Sequence, residues 1–255
     1  PLGCASFADV FEVLASGKVT CAVLPVENSL FGSVHVVYDL LRVHDFAIHA
    51  EHYLPIDHHL MALPGTPLAE VREVRSHPQA LGQCAQWLRE PLPQAAVVPD
   101  YDTAGSARRV RDESLTHTAA IASVRAAQVY GLDVLARGIA THRANVTRFL
   151  LLAPSDSSDE PSEGPHKTSV SFALRANVPG ALFKSLAVFA LREVDLLKIE
   201  SRPLIGSPGR YLFYLDIAGR ADDEAVARAL VHLEEVGEGV RVMGSYPAAS
   251  VPDLR

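Results

Sequence analysis

The stretch from Pro154 to His166, PSDSSDEPSEGPH, constrains this chain more than any other. It is rich in Pro, Ser and acid and nearly free of apolar side chains, so it cannot bury enough surface to offset the entropy of ordering it. A chain of 255 residues is long for one domain and comfortable for two. The division therefore falls here: residues 1–153 form a first domain, 154–166 a linker, and 167–248 a second domain.

Before the linker, short apolar runs alternate with helical patterns. Val19–Leu24, Phe46–Tyr53, His58–Leu63, Val71–Val74, Ala95–Val98, Thr118–Ala122 and Val146–Leu152 read as strands. Val34–Leu41, Pro78–Arg89, Thr103–Arg111 and Ser123–Tyr130 read as helices. Such alternation predicts an α/β domain with a mostly parallel sheet, whose ligands sit where strand ends meet helix starts. After the linker, Thr168–Leu174 alternates polar and apolar, Pro179–Arg192 is a helix, and Val194–Arg202 and Arg210–Ile217 are strands joined by a Gly/Pro turn. Ala221–Glu235 is a helix and Val240–Tyr246 a last strand. The order βαββαβ predicts a ferredoxin-like unit, which can be catalytic or purely binding.

Composition narrows the function by exclusion. A net charge of −7 argues against nucleic acid as partner, and no apolar run reaches the length of a membrane helix. Three scattered cysteines, Cys4, Cys21 and Cys84, fit a reducing compartment. The first residues lack the plan of a signal peptide. We therefore expect the cytoplasm, with a plastid as the alternative if a transit peptide has been removed. There is no GxGxxG after a strand, no GxxxxGK[ST], no HExxH among the eleven histidines and no GxSxG elbow, so neither metal nor organic cofactor is expected.

Four polar clusters remain. In Pro25–Ser33, Ser29 and Ser33 read as caps of the following helix, either as a bare capped turn or as an anion seat. His77, in Ser76-His77-Pro78-Gln79-Ala80, stands just before a helix and serves there as a structural hydrogen-bonder or as a ligand. Asp102 or Thr103, in Asp102-Thr103-Ala104-Gly105-Ser106-Ala107, caps the next helix. Asn145-Val146-Thr147-Arg148-Phe149 puts Thr and Arg at the mouth of an apolar strand, where Arg148 either meets an anion or makes a surface ion pair of small value.

Together these strings resemble the prephenate/arogenate dehydratase family. LPVENSLFGSV (Leu24–Val34), SHPQALGQC (Ser76–Cys84), DTAGSA (Asp102–Ala107) and NVTRFLLL (Asn145–Leu152) are its dehydratase motifs. NVPGALFKSL (Asn177–Leu186) and KIESRP (Lys198–Pro203) resemble its ACT domain. The resemblance covers nearly the whole chain, six strings in family order. It implies a two-lobed, periplasmic-binding-protein-like catalytic domain followed by a ferredoxin-like ACT domain. The implied reaction is decarboxylating dehydration of prephenate to phenylpyruvate, without cofactor, with arogenate as the alternative substrate giving phenylalanine. It assigns catalysis to Thr147, with Arg148 and Phe149 beside it. Substrate binding falls to Glu27, Asn28, Ser29, Ser76, His77, Thr103 and Ala104. Phenylalanine as effector falls to Asn177, Pro179, Gly180, Ala181, Leu182, Glu200, Ser201, Arg202 and Pro203, between the ACT domains of a homodimer or homotetramer. A sensor without catalysis and a solute-binding protein are the rival readings. One departure stands out. Family members begin with a strand and a Gly-Pro-x-Gly-aromatic-Ser turn upstream of Pro1–Glu12, so this chain by itself is expected to be weakly active or inactive, with an exposed sheet edge.

Overall fold

The structure, a computed structural model, describes residues 1–142, 144–155, 163–204 and 206–252, so most of the expected linker lies outside the described residues. The chain opens with α1 (Phe7–Ala15), β1 (Ala22–Asn28), β2 (Gly32–Ser33), α2 (His35–Val43) and β3 (Phe46–Pro55). Then follow β4 (His59–Ala62), β5 (Glu73–Ser76), α3 (Pro78–Leu88), β6 (Ala96–Pro99), α4 (Thr103–Asp112), β7 (Thr118–Ala122), α5 (Val124–Tyr130), β8 (Asp133–Ala136) and β9 (Val146–Pro154). The last third holds β10 (His166–Leu174), α6 (Ala181–Ala190), β11 (Leu196–Pro203), β12 (Tyr211–Ala218), α7 (Glu224–Val236) and β13 (Gly237–Pro247). The βαββαβ order stands. Helix α1 was not foreseen, although Ser6 and Asp9 form a reciprocal capping box at its start. Among the described residues no helix is long and apolar enough to cross a membrane.

Packing gathers the chain into two compact units: Pro1–Leu54 with Thr147–Val251, and a second built on Pro55–Val146. In the second unit the sheet order is β6-β5-β7-β4-β8. Strands β5, β6 and β7 are parallel, whereas β4 pairs antiparallel with both β7 and β8. The mostly parallel sheet expected from the alternation is thus mixed. A parallel pair needs a long crossover, and only the run β5-α3-β6-α4-β7 supplies helices for it. The core of this unit is aliphatic, with Leu60, Val74, Leu81, Cys84, Ala119 and Ile121 all enclosed.

The first unit contains two sheets, β2-β1-β9-β3 and β11-β12-β10-β13. One face of the latter carries Val170, Phe172, Phe213 and Leu215 and is covered by Val188 and Phe189 of α6 and Leu233 of α7. Its opposite face, with Leu212, Tyr214, Met243 and Tyr246, packs on Leu24, Tyr38, Leu41, Ile48 and Leu150 of the first sheet and α2. The approach is close: a Cβ on Gly244 would lie 2.1 Å from the carbonyl oxygen of Ile48, so only glycine fits there. The ACT-like domain is therefore sealed onto the lobe that contains β1 and β9.

Candidate active site

Strand β1 starts three residues after the expected Val19 and ends four after the expected Leu24, so Glu27 and Asn28 belong to the strand and not to a strand-to-helix turn. The chain then reverses into β2, with Asn28 opposite Gly32. Asn28 Oδ1 accepts the N–H groups of Leu30 (3.0 Å) and Phe31 (3.2 Å), and Gly32 takes φ +78°, which a side chain would resist. Ser29 and Ser33 consequently do not cap α2, whose N-cap residue is Val34 without a side-chain bond. Ser29 is exposed in the turn, and Ser33 Oγ donates to Glu200 at 2.5 Å.

Antiparallel pairing of β1 with β9 sets Asn28 opposite Thr147 and Glu27 opposite Arg148, after a register shift between Pro25 and Glu27. Asn28 Nδ2 donates to Thr147 Oγ1 at 3.0 Å. The two backbone N–H groups on Oδ1 fix the amide the right way round for this bond. Along β9, burial alternates: Thr147 and Phe149 are half-buried, Arg148 and Leu150 buried. Successive side chains leave a strand on opposite faces, so Thr147 and Arg148 face different surroundings.

Arg148 is not at the surface. Its side chain is 4% exposed and every guanidinium nitrogen has a partner. Nε donates to Glu51 (2.7 Å), Nη1 to Asp216 (2.5 Å) and Nη2 to the Tyr246 hydroxyl (3.0 Å). Lys167 Nζ joins Glu51 at 2.7 Å, and Ser169 Oγ donates to Asp216 at 2.6 Å. Burial opposes the charge on Arg148, but Asp216, followed by Tyr246 and Glu51, outweighs it and holds the guanidinium above its ordinary pKa. Burial also pushes the Tyr246 phenol up, so it stays a neutral hydroxyl. This replaces the surface ion pair that the sequence suggested. The sequence reading missed Glu51, Asp216 and Tyr246. The available signal was a lone Asp216 in Tyr211–Ala218, a strand otherwise nearly all apolar.

In the second unit the expected residues sit at the carboxyl ends of parallel strands. Ser76 is fully buried, and its hydroxyl donates to the Ile121 carbonyl at 2.6 Å, tying β5 to β7. His77 is the N-cap of α3 and accepts from Gln79 N through Nδ1 at 3.3 Å, with Pro78 in the first turn. Asp102, not Thr103, caps α4, accepting the Gly105 N–H at 2.5 Å. Thr103 and Ala104 open that helix, and Ser123 caps α5. Three capped helix starts therefore follow three parallel strands, each lending partial positive charge to that edge of the sheet. Among the described residues no group of three or more His, Cys, Asp or Glu could hold a metal ion.

The residues assigned to the effector divide between two places. Gly180, at φ +82°, precedes Ala181 and Leu182 at the start of α6, and Asn177 Nδ2 donates to the Gly209 carbonyl at 3.1 Å; Pro179 is exposed. Glu200 and Arg202 pair across the sheet with Tyr214 and Leu212, on the face turned away from α6. There Glu200 meets Ser33 and His35 (3.2 Å), and Arg202 meets Asp39 (2.7 Å). Lys198 bonds Glu27 at 2.9 Å. Ser201 and Pro203 are exposed on the other face of β11.

Residues 1–157 match the family model for prephenate dehydratase. The chain is 45% identical over 258 residues to arogenate dehydratase/prephenate dehydratase 2, chloroplastic, of Arabidopsis thaliana, covering 96% of this chain and 65% of that protein's length. A solved prephenate dehydratase from Arthrobacter aurescens in complex with L-Phe is similar at 34% identity, with a TM-score of 0.86 over 98% of this chain and 84% of that one. A structure described as a novel type of quorum quenching acylase is similar at 34% identity, with a TM-score of 0.87 over 97% and 89% of the two chains. The fold is the one the motifs implied, a periplasmic-binding-protein-like α/β domain followed by a ferredoxin-like ACT domain, and the chain belongs to the prephenate dehydratase family.

Proposed function

We propose that the protein to which this chain belongs converts prephenate to phenylpyruvate under the control of phenylalanine. The observation that carries this reading is the bond from Asn28 to Thr147, which joins two of the motif strings on adjacent strands. In the reaction the ring carboxylate leaves as carbon dioxide, its bonding pair enters the ring, and the hydroxyl leaves from the opposite ring carbon, taking up a proton to depart as water. Aromatisation drives the step, but hydroxide leaves poorly without a donor. Thr147 Oγ1 accepts from Asn28, which turns its own O–H outward to serve as that donor, a role typically worth ~10²–10⁴ in rate. Glu27, Asn28 and Ser29 are proposed to shape the substrate end of β1. The helix starts at His77 and Thr103 are proposed as supports for an anionic substrate. Arogenate is the second substrate reading, since similar plant proteins carry that name.

Phenylalanine is the proposed effector, seated at Gly180–Leu182 where the ACT domains of two copies meet. Exposed Val178, Phe183, Leu197 and Ile199 on that domain favour such a contact. The proposed compartment is a reducing one, cytoplasm or plastid, in keeping with three free cysteines.

The test is turnover of the full-length protein on prephenate and on arogenate from one preparation. Thr147→Ala is expected to lose at least tenfold in turnover with its fold intact, and Thr147→Ser to keep part of the rate. A Thr147→Ala protein as fast as the parent would sink the catalytic assignment. Hydrolysis of acyl amides with neither dehydration detectable would move the reading to the acylase.

A further inference from the structure

We propose that Asp216, a residue of the ACT sheet, is a positioning residue for catalysis: by holding Arg148 it fixes β9 and so the Thr147 hydroxyl. The proposal rests on the assignment of Thr147 as proton donor. Three observations support it. First, Arg148 has no free nitrogen and almost no exposed surface, so a substrate carboxylate could reach it only by displacing Glu51, Asp216 or Tyr246. That makes it a poor substrate anchor and a good latch. Second, Asp216 is itself held on both oxygens, by Arg148 on Oδ2 and by Ser169 Oγ on Oδ1, and Ser169 also bonds the Tyr246 hydroxyl at 2.7 Å. The latch is anchored on β10, β12 and β13 together, which makes its position a property of the whole ACT sheet. Third, Arg148 and Thr147 share one peptide in a strand, so displacing one rotates the other. Misplacement of a reacting group by about 1 Å can cost ~10²-fold in rate.

The ACT domain on this view completes the catalytic strand as well as carrying the effector seat. A rearrangement of its sheet that moves Asp216 reaches Thr147 through the Arg148 guanidinium.

The experiment compares full-length parent, Asp216→Asn, Arg148→Lys and Thr147→Ala on prephenate, with thermal unfolding of each. Asp216→Asn keeps shape and loses charge. We expect its kcat to fall about tenfold with KM within about twofold, and Arg148→Lys to behave the same way. The double variant Asp216→Asn/Arg148→Lys should be no slower than the slower single one, because both break one latch. A lower Tm with unchanged kcat for Asp216→Asn would reduce the residue to a structural role and overturn the proposal. A KM raised tenfold or more in Arg148→Lys at unchanged kcat would make Arg148 a substrate ligand and do the same. If Asp216→Asn does not fold, Tyr246→Phe carries the test: it removes one bond to Arg148, and a kcat loss of about threefold is expected, against none if the network is inert. Full activity of Thr147→Ala would instead remove the underlying assignment, an outcome separate from the latch failing alone.

Discussion

Two buried polar clusters flank Thr147 along the chain, and they are built from opposite materials. On the amino-terminal side, within Pro55–Val146, Asn145 Nδ2 donates to Gln83 Oε1 (3.2 Å), and the same amide oxygen meets His58 Nε2. All three side chains are neutral when His58 is unprotonated. On the carboxyl-terminal side, in the other unit, Arg148 lies among Glu51, Asp216, Tyr246 and Ser169. A neutral cluster needs only its hydrogen bonds satisfied. An ionic one needs every charge matched as well, since an unpaired buried charge costs far more than an unpaired amide. The neutral cluster resists protonation through burial and responds to protons only on the acid side, whereas the ionic one holds its charge and ties distant strands together.

The largest effect expected from this contrast is on the ionic side. Arg148→Met keeps bulk but leaves Glu51 and Asp216 facing each other without their shared cation. Breaking a buried pair in this way typically costs about 3–5 kcal/mol, measurable as a shifted urea midpoint. Replacing Arg148 and Asp216 together by apolar residues should recover most of that loss, because Glu51 keeps Lys167 as its partner and no orphan charge is left. A single Arg148→Met that costs under about 1 kcal/mol would mean that the cluster is far wetter than its burial indicates.

The same contrast shows what the sequence could and could not disclose. The cap at Asp102 was legible because its short string carries its own local geometry, whereas Thr147 and Asn28 were singled out by the resemblance of their strings, and the expected caps Ser29 and Ser33 were not caps. The βαββαβ order was legible from periodicity, for the apolar alternation of β10 and β12 serves their own helices. The Arg148 cluster was not, because its partners lie 97, 68 and 98 residues away in sequence, and a lone charge in an apolar strand announces a partner without naming it. The β1–β2 hairpin was missed for a different reason. Pro25–Ser33 was read as the approach to a helix, yet Pro25 lies in the strand beside the register shift between Pro25 and Glu27, where proline is tolerated. Glu200 and Arg202 make contacts that their string does not announce: motif spacing gives no strand face, and alternation along β11 turns both toward Ser33, His35 and Asp39.

A smaller effect separates the clusters by pH. Burial lowers the His58 pKa, against raising contributions from the Gln83 bond and from Asp57. His59 is lowered by burial as well, with Asp57 opposing and Arg137 adding to it. In the unfolded chain each imidazole titrates near its ordinary value of about 6.5, so below that pH the unfolded state binds protons that the folded state refuses. Their contribution is therefore complete above the unfolded value and is lost as pH falls through the depressed folded one. One such group gives a slope of at most about 1.4 kcal/mol per pH unit. His58→Gln should flatten the fall in stability between pH 7 and 5.5 by up to one proton's worth while Arg148 stays charged throughout. Identical slopes for parent and variant would show that His58 is protonated as readily in the folded protein as out of it.

The smallest effect belongs to a third kind of contact, the part-exposed pair Arg202–Asp39, which calibrates the other two. It is bidentate, with Nη2 at 2.7 Å and Nε at 3.3 Å, and its hydrogen bond to Asp39 is the main reason the Arg202 pKa is raised. Geometry alone suggests parity with Arg148. The side chains are 25% and 34% exposed, however, so water and salt screen the attraction and both groups keep much of their hydration when parted. Arg202→Ala is expected to cost about 1 kcal/mol or less, falling further at high salt, against the several expected for Arg148. Both arginines bridge the ACT sheet and the lobe holding β9, through different elements, so the comparison varies burial while the two layers joined stay the same. A loss for Arg202 equal to that for Arg148 would show that holding those elements together, and not the desolvation of the charge, sets the size of both.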